Sequence, residues 1–71
     1  LIKPDIHLRI EPKRSYHDAF LEDQYIGAFW FNPQMYIWFY QFGAGEYRSA
    51  QSRQAAIEGL VEWYKEWKGN G

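Results

Sequence analysis

Two histidines, His7 and His17, three serines, Ser15, Ser49 and Ser52, and the carboxylates Asp18, Glu22 and Asp23 are where hydrolytic or metal chemistry would begin in this chain. A metal site needs three or four converging ligands. His7 and His17 fall on separate strands and, by the expected register, on opposite faces, with no carboxylate placed to complete a set. A nucleophilic serine needs a base and a positioning turn, and none of the three lies in a Gly-x-Ser-x-Gly elbow. Ser49 and Ser52 read instead as helix N-cap candidates, because a serine oxygen accepts from a free first-turn N–H. Asp18 and Glu22 share a strand face while Asp23 lies in a turn, which suits a solvated edge better than a glycosidase pair. Gly43-Ala44-Gly45 has the spacing of neither phosphate-binding loop. There is no cysteine, which excludes disulfides and thiolate metal sites. No catalytic, cofactor-binding or metal-ligating residue is therefore assigned, and the expected class is a non-enzymatic domain without cofactor.

What the chain does have is rings. The segment Gln24–Phe42, QYIGAFWFNPQMYIWFYQF, carries most of its Trp, Tyr and Phe residues. It reads as two strands that are apolar on both faces. A sheet of this kind needs cover on each side, and the chain offers one helix.

Seventy-one residues make one domain near the lower size limit for independent folding. Such chains need dense packing or self-association, and 21% aromatic content allows both. The net charge of −1 argues against a strongly basic nucleic-acid or membrane-surface protein. Residues 16–47 contain Asp18, Glu22, Asp23 and Glu46 and no Lys or Arg. No apolar run approaches the ~20 residues that span a bilayer, and no signal-peptide pattern is present. With the absence of cysteine, these features give a cytoplasmic expectation.

The periodicities predict an α+β fold: a four-stranded antiparallel β-meander followed by one C-terminal α-helix packed on one face. Residues 5–11 alternate, with Ile6, Leu8 and Ile10 on one side. Pro12–Ser15 connects to a second strand at 16–22. Strands three and four are expected at 25–31 and 35–42, with a tight turn at Asn32-Pro33-Gln34-Met35. Gly43–Gly45 is expected to end the sheet. The helix is expected over about 50–68, stopped by Gly69-Asn70-Gly71. Its apolar arc holds Ala56, Ile57, Leu60, Val61, Trp63, Tyr64 and Trp67.

Tight turns fix register. If Glu11 pairs with Tyr16, Glu22 with Tyr25 and Asn32 with Met35, two faces result. The helix-side face is Ile6, Leu8, Ile10, Ala19, Leu21, Ile26, Ala28, Trp30, Ile37 and Phe39. The open face is Tyr16, Phe20, Tyr25, Phe29, Phe31, Tyr36, Trp38, Tyr40 and Phe42, with Arg9 paired to Asp18 near its margin and Gly27 opposite Tyr40. Arg9, Lys13, Arg14, Arg48 and Arg53 are candidates for a basic rim.

In outline this architecture resembles small sheet-plus-helix modules, some of which bind single-stranded DNA and dimerise. The residues themselves favour a protein-interaction module, self-associating or docking on a larger protein through the open aromatic face. The alternative is a domain that stacks single-stranded nucleic acid on the same rings. Stacking platforms work with a basic groove, whereas the hairpin has no Lys or Arg and the segment 16–47 around it carries Asp18, Glu22, Asp23 and Glu46.

Overall fold

The computed structural model describes residues 7–70. Five strands precede the helix: β1 (Leu8–Pro12), β2 (His17–Leu21), β3 (Gln24–Asn32), β4 (Ile37–Phe42), β5 (Tyr47–Ala50) and α1 (Arg53–Asn70). They form one antiparallel sheet in the order β1-β2-β3-β4-β5. The meander is therefore five-stranded, which corrects the expectation of four. Tyr47–Ala50 pairs with Trp38–Gln41, after a loop in which Gly43 and Gly45 have φ of 63° and 134°. The glycines reverse the chain for one more strand instead of ending the sheet. The expected strand residues Asp5 and Ile6 lie outside the described residues.

The helix begins three residues later than expected, at Arg53, because Tyr47–Ala50 is strand. Ser52 caps it: its Oγ accepts from Ala55 N at 3.0 Å. The helix continues through Asn70, past the expected stop at Gly69. It lies across β3, β4 and β5 on one face.

Two turns and a bulge set the registers. Glu22 and Asp23, with φ of 53° and 67°, form a two-residue turn that pairs Leu21 with Gln24. Both central residues are left-handed, as the twist of a tight hairpin demands. One step on, Ile26 is a bulge: Phe20 pairs with Tyr25, but Ala19 pairs with Gly27. The β3–β4 turn spans Pro33–Tyr36, so Asn32 pairs with Ile37, not Met35. Asn32 holds this turn, accepting on Oδ1 from Gln34 N and Met35 N and on its carbonyl from Tyr36 N.

The two-residue register shifts keep side chains on their expected faces, whereas the one-residue bulge exchanges the faces of everything after it. Ala19, Leu21 and Ile26 point to the helix as expected. Beyond the bulge, Phe29, Trp38, Tyr40 and Phe42 take the helix side, and Ala28, Trp30, Ile37 and Phe39, all expected on the helix side, take the open side. The core is Ala19, Leu21, Ile26 and Phe29 against Ala56, Ile57, Leu60 and Tyr64. Gly27, with φ of 148°, sits where a Cβ would meet the Gln41 carbonyl and lie 2.9 Å from Leu60 Cδ1. Glycine there lets Leu60 reach the sheet. Gly27 pairs with Phe42, and the bare backbone that accommodates Tyr40 is Gly59 of the helix.

Candidate functional site

On the face away from the helix, the sheet places side chains in transverse rows. Arg9, Phe20 and Tyr25 are in register across β1, β2 and β3. The next row is Glu11, Asp18, Ala28, Gln41 and Tyr47. Beyond it lie Trp30, Phe39 and Ser49. Rings therefore flank a small and polar stretch, Asp18, Ala28 and Gln41, which ends at the Tyr47 ring on β5.

On one side, Phe20 and Tyr25 meet edge-on at 5.5 Å, and the Arg9 guanidinium lies 4.2 Å from the Phe20 ring centre. On the other, Trp30, Phe39 and Tyr47 form a triad with centroid separations of 5.3–6.0 Å. Tyr25 and Tyr47 are exposed, Trp30, Phe20 and Phe39 partly so. Between the two groups is an open hollow of about 920 Å³. Ala28 floors it, Tyr16, Asp18, Tyr25, Trp30 and Gln41 line it, and the Asn32–Gln34 turn closes one end.

The hollow is mildly acidic. Partial burial, and then the Asp18 carboxylate beside it, raise the Tyr25 phenol above its ordinary value. Tyr16 adds to the effect. Asp18 makes no ion pair among the described residues. The expected Arg9–Asp18 pair is not formed: Arg9 stands opposite Phe20 and bonds Glu11. Lys13 also approaches Glu11, at 3.6 Å.

Of the rings expected on the open face, Phe20, Tyr25 and Tyr16 are there. Phe29 is fully buried in the core, and Trp38, Tyr40 and Phe42 pack against the core on the helix side. Tyr40 and Phe42 meet Trp63 of the helix at 6.1 and 5.7 Å. Phe31 and Tyr36 contact each other edge-on at 5.5 Å beside Trp38, and Tyr36 is 84% exposed at the hairpin tip. Trp30 and Phe39, expected in the core, are instead the centre of the open face. Tyr47 belongs with them and was hidden in a segment expected to lead into the helix. Its signal was the short alternation Tyr47-x-Ser49 after a glycine loop.

The five basic rim candidates do not converge. Arg9 is on the open face, Lys13 and Arg14 are on the β1–β2 loop. Arg48 and Arg53 lie on the helix side, over the Trp63 and Phe29 rings at 3.8 and 5.5 Å. His17 stacks on Phe29 at 5.0 Å and is on the helix-side face, its Nδ1 buried without a partner. His7 offers only its backbone carbonyl, to Glu22 N at 2.9 Å. Among the described residues no group of three or more His, Cys, Asp or Glu is placed to hold a metal, and no helix is long and apolar enough to cross a membrane.

Comparisons with protein-family models, curated proteins and solved structures find no match. The geometry of this small α+β domain with an aromatic-rich sheet face is therefore what a functional reading has to stand on.

Proposed function

We propose that the chain is a non-catalytic protein-interaction module. Its contact surface is the open sheet face: Phe20, Tyr25, Trp30, Ile37, Phe39 and Tyr47. One observation carries this reading: α1 covers one side of the sheet, and the rings of Phe20, Tyr25, Trp30, Phe39 and Tyr47, with Tyr16 beside them, lie on the other. Rings of ~150–250 Å² each, even one-third exposed, make a patch on the order of 300 Å², the size of the largest apolar patch on a typical monomer, which is often functional. Trp and Tyr are also the residues that most often anchor protein interfaces. The occupant is a second copy of the chain or a larger protein.

Sedimentation at micromolar concentration tests this. The wild type is expected above the 8.6 kDa monomer mass, or to aggregate without its partner. Phe39→Asp, in the middle of the face and outside the helix-side core, is expected to give a folded, soluble monomer. A soluble wild-type monomer whose behaviour Phe39→Asp leaves unchanged would overturn the proposal.

A further inference from the structure

The open face is not uniformly apolar, and the exception gives it a chemistry. The hollow over Ala28 has aromatic walls from Tyr16, Tyr25 and Trp30, with the Asp18 carboxylate among them. Aromatic faces attract cations through the ring quadrupole, Trp best of all. A carboxylate among such rings adds a full charge and an acceptor for N–H donors. Gln41 adds another acceptor: its Nε2 donates to the Gly45 carbonyl, which leaves Oε1 for a ligand.

Among the described residues no basic group forms an ion pair with Asp18. Arg9 is drawn away by Glu11 and the Phe20 ring, and Lys13 is directed to Glu11. The whole segment 16–47 contains no Lys or Arg. The same face shows the interaction in miniature, since Arg9 lies over Phe20.

We propose that this hollow takes the side-chain ammonium of a lysine presented by a partner polypeptide. The inference rests on the open face being a protein-contact surface, and names what the partner brings to it. The alkyl stem lies over Ala28 and against Trp30, and the ammonium sits between the Tyr16 and Tyr25 rings with N–H donated to Asp18. A carboxylate and an amide oxygen both accept N–H bonds, so they favour a primary ammonium over a quaternary one. The raised Tyr25 phenol stays neutral at physiological pH and keeps its face available.

The experiment is an NMR titration of the intact chain with an acetylated Gly-Lys repeat peptide. The controls are the same peptide with Nε-acetyl-lysine and a Gly-Glu repeat. The lysine peptide is expected to shift the Ala28 amide and the Trp30 indole. Acetylation should weaken binding about ten-fold or more, the scale of a desolvated cation–π contact with its charge partner. Asp18→Asn should weaken it comparably while leaving the thermal midpoint near that of the wild type. Arg48→Gln, on the other face, should change nothing. Equal binding of the acetylated peptide at the same resonances would overturn the lysine assignment and leave an apolar contact face. No shift with any peptide, with association still abolished by Phe39→Asp, would also overturn it and leave the interaction face standing. If Phe39→Asp were silent as well, both proposals would fall.

Discussion

Tyr25 is the residue whose chemistry reports most directly on the open face. Its phenol is raised above its ordinary value of 10.0, by partial burial and by Asp18. The sign is that of an acid whose charged form the fold disfavours. Below the unfolded-state value both states hold the proton and stability does not depend on this group. As pH climbs through the raised folded value the fold loses stability, because the unfolded chain releases its proton first. Ultraviolet titration of phenolate absorbance is expected to show Tyr25 ionising later than the free phenol. Tyr25→Phe should remove that late component, and Asp18→Asn should bring it back toward the ordinary value. Burial alone keeps the phenol above its ordinary value, so if Asp18→Asn left the midpoint of the late component unmoved, the carboxylate would not be where the register puts it. Asp18 was read from the sequence as a solvated edge group paired to Arg9. Arg9 instead answers to Glu11, two residues along its own strand, a local alternative that cross-strand reasoning leaves out.

At the scale of elements, the helix depends on a residue that helix propensity disfavours. Gly59 sits mid-helix, where alanine would ordinarily gain up to ~1 kcal/mol. Here a Cβ would lie 2.5 Å from Tyr40 Cζ and 2.6 Å from its hydroxyl. That ring is also held edge-on by Trp63. Overpacking costs ~1–3 kcal/mol and outweighs the propensity gain. Gly59→Ala is therefore expected to lower the denaturation midpoint. Gly69→Ala, with nothing within 4 Å of its Cβ, should leave the midpoint unchanged or raise it slightly. Equal gains for both would mean that Tyr40 does not pack on the helix. Four of the five strands and the helix were legible from the sequence: alternation marked β1, a weaker strand pattern marked β2, aromatic runs marked β3 and β4, and the apolar arc centred on Leu60 marked α1. Leu60 is fully buried, as that arc requires. The face assignment was not legible beyond the turn at Glu22-Asp23. A bulge at Ile26 adds one residue to one strand and leaves no pattern in a segment apolar on both sides. Periodicity cannot reveal a one-residue slip where both parities are hydrophobic. Gly27, beside the bulge, was the available hint, since glycine inside a strand often marks one. The strand β5 was missed for a different reason: four residues with one ring carry too little alternation to stand apart from a helix lead-in.

At the scale of the whole molecule, the distribution of charge supports the protein partner proposed above over nucleic acid. A nucleic-acid platform combines stacking rings with basic groups along the same groove. In this fold the rings of the open face surround Asp18, and its arginine, Arg9, is engaged by Glu11. Arg48 and Arg53 are on the helix side and already cover rings there. Trp30 is the open-face tryptophan, while Trp38 and Trp63 pack on the helix side. Stacking of a base on Trp30 would quench its fluorescence, and phosphate contacts would make that quenching fall steeply with salt. Titration with a mixed single-stranded oligonucleotide at two salt concentrations is expected to give no saturable quenching at micromolar levels. Trp30→Phe should leave that null response unchanged while altering the response to the lysine peptide. Saturable quenching that weakens with salt and disappears in Trp30→Phe would reverse the assignment of partner. It would require Lys13 and Arg14, on the loop beside Tyr16, to supply the phosphate contacts that the rest of the face lacks.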